Sequence, residues 1–321
     1  MRLLVLTSSW PLRPGDARGG FVKDWCDFLA RRGFDILVAA PRPPDDVPAP
    51  DSTDPVRVEW LPSFLPAQSR AFHGSGLESN LRRHPTEALG LPRFLTAFAI
   101  EAAARAAVCD AIVAHWLLPM GAVGAAVARV SGRPLFVVAH SGPPVAARLP
   151  PLSLLIREAV RSATSVACVS ATVEQEVRKA VGDHARLVTI PLGVDLRTVV
   201  GPPSGHATVK RLLFVGRLVP QKGVDVLLRA VAGLSNVALT VVGDGPEGPA
   251  LRRLAADLGV RARFEGEVDR EDARRAMARA DLLVVPSRVG FLGRAEGMPP
   301  GDPGSVVVRP AGRHHVGWRR R

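Results

Sequence analysis

Residues Arg211-Leu-Leu-Phe-Val-Gly-Arg-Leu-Val-Pro-Gln-Lys-Gly223 decide how the chain is read. The consecutive apolar residues Leu212 to Val215 have the length and composition of a short buried strand. Gly216 follows, a residue that permits a turn with positive φ or a close backbone approach. Arg217 and Lys222 then fall just past the strand's carboxyl end. In an open α/β sheet that edge is where ligands bind. Two cations there can hold a diphosphate, Arg as a planar fork and Lys as a point charge. The apolar spacing after Gly223 predicts a helix over 224–231, with its amino end turned to the same place. The same residues also fit a plain strand, a basic turn and a helix with solvated charges, because short motifs match by chance.

Working outward, 321 residues with 47% apolar content suggest two domains with sizeable cores. The net charge of +12 and pI of about 11.1 point to anionic partners: phosphates, nucleic acid or an anionic membrane surface. Solvated Arg from a GC-biased coding sequence is the plainer account. Cys26, Cys109 and Cys168 are odd in number and far apart, which fits a reducing cytoplasm without disulfides or a zinc site. The apolar run Leu3 to Leu6 is too short for a signal peptide. No long uninterrupted apolar run predicts a membrane-spanning helix.

Toward the amino end, Arg2 to Leu6 reads as a strand, 7–20 as a Gly- and Pro-rich loop, and Phe21 to Arg31 as a helix with apolar residues at helical spacing. Gly19-Gly20 at that helix start can bring backbone N–H groups close to phosphate or sugar, or can be ordinary loop. Strands are expected at Asp35 to Ala40 and Val56 to Trp60, with a Pro- and Asp-rich loop between. Residues 63–95 interleave Phe64, Phe72 and Phe94 with Arg70, Arg82, Arg83 and Arg93. That mixture suits contact with a membrane surface, or a loop and two short helices packed on the domain. A helix is expected over Thr96 to Val108 and strands at Ala111 to Ala114 and Pro134 to Ala139. His115 follows the first of these strands, where a lone histidine is usually structural. His140-Ser-Gly142 follows the second, where a histidine can donate to a sugar hydroxyl or phosphate. Ser165 to Ser170 and Leu187 to Ile190 complete the sheet, and Gly- and Pro-rich residues 199–208 read as a linker.

Beyond the opening stretch, Val237 to Val242 is a strand followed by Gly243-Asp-Gly-Pro-Glu-Gly248. This is formally the dinucleotide fingerprint, with Glu265 near the end of the next strand as a candidate ribose ligand. It keeps a NAD-type dinucleotide-binding oxidoreductase open as an alternative. Asp269 can cap a helix over 270–279, and Leu282 to Val285 is a further strand.

Several of these segments together resemble the retaining glycosyltransferases of family 4 (glycosyl transferases group 1, GT-B fold). They are Phe214 to Gly223, Gly243-Asp-Gly-Pro246, His115 to Gly121, His140-Ser-Gly142, Pro191-Leu-Gly-Val-Asp195 and Gly293-Arg-Ala-Glu296-Gly-Met-Pro299. The resemblance covers about residues 1–299. It implies an α/β chain of two Rossmann-like domains facing a cleft. Residues 1–200 would form the acceptor side, 201–208 the linker and 209–299 a partial donor-binding domain, with 300–321 an aberrant basic tail.

It further implies that Arg217 and Lys222 hold the diphosphate of a nucleotide-sugar, while Gly19 and Gly20 face the donor. His140 would lie near the reacting sugar and Glu296 at its hydroxyls, as the catalytic pair. The acceptor would be lipid-linked or a saccharide, in polysaccharide or glycolipid assembly at the inner membrane face. No cofactor, nucleic acid or metal is expected. Asp-x-Asp, the usual metal device for diphosphates, does not occur, and the two cations substitute for it.

The sequence also departs from the family pattern. Pro143 and Pro144 stand where many relatives carry an acid, and Leu192 replaces Asn. Gly304 stands where the second Glu of E-x7-E belongs. From Pro300 on the chain is an unpatterned basic stretch. The expectation is a second domain truncated or frameshifted near residue 299, with impaired transfer or a non-catalytic remnant.

Overall fold

The computed structural model describes residues 1–13, 16, 19–43, 56–62, 69–73, 77–143, 150–182, 186–193, 210–288 and 306–308. The chain divides into two compact units, Met1–Gly193 and Val194–Arg321. The expected linker, 201–208, and Glu296 lie outside the described residues.

The first unit holds strands β1 (Arg2–Leu6), β2 (Asp35–Pro41), β3 (Val56–Leu61), β4 (Ala111–His115), β5 (Leu135–Ala139), β6 (Ser165–Cys168) and β7 (Leu187–Thr189). They form one parallel sheet in the order β3-β2-β1-β4-β5-β6-β7. The helices are α1 (Gly20–Ala30), α2 (Leu77–Arg83), α3 (Glu87–Ala106), α4 (Ala122–Ser131), α5 (Leu152–Ser162) and α6 (Ala171–Val181). Leu4 and Leu6 enter one core and Leu3 and Val5 the other, as the two-residue period of a strand requires. A parallel sheet buried on both faces needs such uninterrupted apolar strands.

The helix expected to start at Thr96 begins at Glu87 and runs through Pro92. Proline removes one backbone donor from the ladder. The helix persists because Phe94, Ala97, Phe98, Ala102 and Ala106 bury one face. Tertiary packing of that kind outweighs local propensity. Phe72 lies 5.0 Å from Phe94, ring centre to ring centre, and both are buried. Phe72 is therefore core, which corrects its place in a membrane-facing patch; Phe64 lies outside the described residues. No helix among the described residues is long and apolar enough to cross a membrane.

The second unit holds β8 (Arg211–Val215), α7 (Val224–Val231), β9 (Ala238–Val242), α8 (Gly248–Asp257), β10 (Ala262–Gly266), α9 (Arg270–Arg279), β11 (Leu282–Val285) and β12 (Val306–Val308). The sheet order is β10-β9-β8-β11-β12, parallel except for β12. β12 lies within the stretch expected to be unpatterned tail. Its three valines, β-branched and suited to a pleated surface, pair antiparallel with Leu283–Val285. Leu212, Phe214, Leu227, Leu228 and Val241 centre the core.

Candidate functional site

In each sheet the strand order reverses once, between β1 and β4 and between β8 and β11. Crevices form outside the carboxyl ends of strands at such reversals, where the loops diverge to opposite faces. Among the described residues, Gly19 and Gly20 follow β1, His115 follows β4, and Arg217 and Lys222 follow β8, while His140 follows β5, the next strand along. Each edge has its own chemistry.

At the first edge, Gly19 caps α1 with φ of 68°. A Cβ on Gly19 would overlap the backbone of Ser9 and Trp10. Glycine is thus required there by chain packing alone. β4 ends at His115, and Trp116 follows with φ of 71° and ψ of 140°. A bulky residue rarely holds positive φ, and strain of this kind collects at functional sites. His140 follows the neighbouring strand β5. The pairing of His115 with Val138 sets the two histidines side by side.

The His115 and His140 rings lie nearly parallel and meet edge to edge, with centres 5.1 Å apart and His115 Nδ1 2.8 Å from His140 Nε2. This is a hydrogen bond between two imidazoles, one donating and the other accepting. Trp25 stands edge-on to His115 at 5.1 Å, while Phe21 and Trp116 flank His140 at 4.9 and 5.0 Å. The aromatic cover removes water. Burial pushes His140 down to about 3, and burial with His140 alongside holds His115 well below its ordinary value. Both rings are neutral at pH 7. The outer nitrogens, His115 Nε2 and His140 Nδ1, are buried without a hydrogen-bond partner.

Two residues on, Gly142 is pressed by α6. A Cβ there would overlap the Glu176 carboxylate. Burial pushes the Glu176 carboxyl above its ordinary value, and its Oε2 has no hydrogen-bond partner.

The second edge is cationic and built from interlocked glycines. Gly216 N–H donates to the Val242 carbonyl, and Leu218 N–H donates to that of Asp244. A Cβ on Gly243 would overlap Gly216 O, one on Gly245 would overlap Leu218 O, and one on Gly223 would overlap Pro286 O. The three loops after β8, β9 and β11 therefore touch backbone to backbone. Leu218 is fully buried and anchors the first loop, which leaves Arg217 exposed beside it. Lys222 ends a short 3-10 turn, Pro220–Lys222, at the amino end of α7.

Arg288, past β11, braces that turn. Its Nε donates to Pro220 O at 2.7 Å, its backbone N–H to Gln221 O at 2.8 Å, and its Nη1 to Asp225 at 3.2 Å. The brace went unread in the sequence because it joins residues far apart in the chain. The His115–His140 bond went unread for the same reason.

The glycines of the Gly243-Asp-Gly-Pro-Glu-Gly248 segment are used in loop-to-loop packing, and Glu265 pairs with Arg263 at 2.7 Å. The dinucleotide reading is not favoured by this packing. Among the described residues no three His, Cys, Asp or Glu side chains gather as metal ligands.

Two doubly wound α/β units are the architecture of the GT-B fold. A sucrose-phosphate synthase from Thermosynechococcus elongatus has the same GT-B fold, with a TM-score of 0.68 at 20% identity, over 89% of this chain and 76% of that one. Residues 20–198 match Glycosyltransferase Family 4, and residues 209–300 match Glycosyl transferases group 1. The chain belongs to glycosyltransferase family 4.

Among curated relatives, the putative teichuronic acid biosynthesis glycosyltransferase TuaC of Bacillus subtilis is 27% identical over 93% of this chain and 77% of its own length. A GDP-mannose-dependent monoacylated alpha-(1-6)-phosphatidylinositol monomannoside mannosyltransferase of Corynebacterium glutamicum is 33% identical over 35% of this chain. The match spans 33% of that relative, and 48% of a related mannosyltransferase from Mycolicibacterium smegmatis.

Proposed function

We propose that the protein is a retaining glycosyltransferase that moves a sugar from a nucleotide diphosphate-sugar to an acceptor hydroxyl in polysaccharide or glycolipid assembly. The observation that carries this is the cationic edge of the second unit. Arg217 and Lys222 stand on a glycine-interlocked loop at the strand-order reversal, beside the amino end of α7. Cations and a helix amino end aimed at one place stabilise the charge that develops on a leaving diphosphate.

Gly19 and Gly20 face the donor in this reading, His140 approaches the reacting sugar, and Glu296 approaches its hydroxyls. The names of the Bacillus and Corynebacterium relatives, a teichuronic acid biosynthesis glycosyltransferase and a phosphatidylinositol monomannoside mannosyltransferase, support an acceptor in polysaccharide or glycolipid assembly. Mixing the protein with a panel of nucleotide-sugars and glycolipid acceptors, and following release of free nucleoside diphosphate, tests the reading. Acceptor-dependent release with one donor is expected; no release with any donor contradicts it.

Peripheral contact with an anionic membrane belongs to the same proposal. It is supported by the net charge of +12 and by Arg83 and Arg93, which are exposed. Sedimentation with anionic vesicles should exceed that with neutral ones and fade with salt. Equal sedimentation rejects the electrostatic contact.

A further inference from the structure

We propose that His115 is a positioning residue for His140, and that the two buried imidazoles act as one hydrogen-bonded unit at the first edge. The inference rests on the reading that His140 serves sugar transfer. Of His140's two nitrogens, Nε2 is committed to His115 Nδ1 at 2.8 Å. A substrate hydroxyl that bonds to His140 must therefore meet Nδ1, the nitrogen without a partner.

A neutral imidazole carries one N–H. If His115 Nδ1–H donates, His140 carries its proton on Nδ1 and offers a donor to the hydroxyl. If His140 Nε2–H donates, Nδ1 offers a lone pair. In either arrangement the bond to His115 decides what His140 presents, because the tautomer of a histidine is set by the bond its other nitrogen makes. The flanking Trp25, Phe21 and Trp116 rings hold the geometry. A purely structural histidine in an apolar pocket would have its nitrogens satisfied. Here each ring leaves one nitrogen open, so the unit has two unpaired ends.

The test compares the full chain with His115→Phe, which keeps an aromatic ring and removes the bond. A second variant, His115→Asn, restores an amide able to pair with His140 Nε2. Three readouts are taken: donor affinity, transfer kinetics, and the nitrogen-15 spectrum of the His140 ring. His115→Phe should lower kcat by about tenfold to a hundredfold, the scale of a small misplacement of a reacting group. Donor affinity should stay within twofold. The His140 ring should change from one tautomer to a mixture, and His115→Asn should recover most of kcat.

Unchanged kcat and an unchanged His140 spectrum in His115→Phe overturn the proposal. So does an equal loss in both variants that follows only their loss of folded protein, since that marks a structural role. If the unaltered protein transfers no sugar from any donor, the transfer reading fails. The His140 spectrum then still decides whether His115 sets its tautomer.

Discussion

The two sheet edges of this protein are alike in topology and opposite in chemistry. The edge at β1, β4 and β5 is aromatic and dry, with a hydrogen-bonded histidine pair that burial keeps neutral. The edge at β8 and β11 carries exposed Arg217 and half-buried Lys222 on loops that glycines lock together. Where a negatively charged group must be held, cations within reach of solvent serve, because they remain charged. Where a hydroxyl must be recognised, neutral rings in a dry pocket serve, because each nitrogen has a defined role as donor or acceptor. The same switch-point geometry thus carries cations on one edge and neutral, hydrogen-bonded imidazoles on the other.

The largest expected effect tests whether the glycine interlock builds the second edge. Gly243 has φ of 124°, and a Cβ there overlaps Gly216 O. Gly243→Ala should cost about 3 kcal/mol of unfolding free energy, from backbone strain plus forced separation of two loops. Gly259, with φ of 63° and no atom within 4 Å of its Cβ position, is the control. Gly259→Ala should cost only about 1 kcal/mol, the left-handed backbone penalty. Equal losses in denaturant titrations would show that the loop contact contributes nothing.

How much of this was legible beforehand follows the range of each signal. The helix α7 (Val224–Val231) and the helix α9 (Arg270–Arg279) begin and end as the sequence predicts. Asp269 accepts from the Asp272 N–H at 2.7 Å, the cap that the sequence suggests. These are local signals, complete within one or two turns. Arg217, Lys222 and His140 were legible as residues just past strand ends, and Gly19-Gly20 as the start of a helix. Their partners were not. His115 meets His140 only because β4 and β5 are neighbours in register, Glu176 meets Gly142 across a helix packing, and Arg288 reaches back to Pro220. The early start of α3 and the burial of Phe72 are likewise decided by tertiary packing, which overrides the proline in one and the flanking arginines in the other.

The next effect sharpens the contrast between a neutral and a charged edge. His140 is held down to about 3 and His115 well below its ordinary value of 6.5, both mainly by burial. Below pH 6.5 the unfolded chain therefore binds more protons than the folded one, and stability falls as pH falls. The contribution is complete above about pH 6.5 and declines toward pH 3, by up to about 1.4 kcal/mol per pH unit for each histidine. Denaturant titrations between pH 7.5 and 5.5, conditions spanning that onset on the scale of ordinary histidine titration, should show a steep decline in the unaltered protein. A His115→Phe/His140→Phe double variant should give a flatter profile. Parallel profiles would mean the rings take up protons in the folded state.

A smaller effect is expected at the brace. Arg288→Ala removes the bonds to Pro220 O and Asp225 and should cost about 1 kcal/mol of stability, since the ion pair is partly exposed. It should also raise hydrogen exchange in the turn that carries Lys222. Unaltered exchange there would show that the turn holds itself.

In the proposed function the cationic edge, Arg217 and Lys222, holds the donor's diphosphate. Calorimetric titration with nucleoside diphosphates and their sugar conjugates tests it directly, on the unaltered chain and on Arg217→Ala and Lys222→Ala. Each substitution should weaken binding by about 1.5–3 kcal/mol, the scale of hydrogen bonds to charged groups. The corresponding nucleoside monophosphate should bind weakly to all three proteins. Undiminished diphosphate binding in both variants would contradict the account.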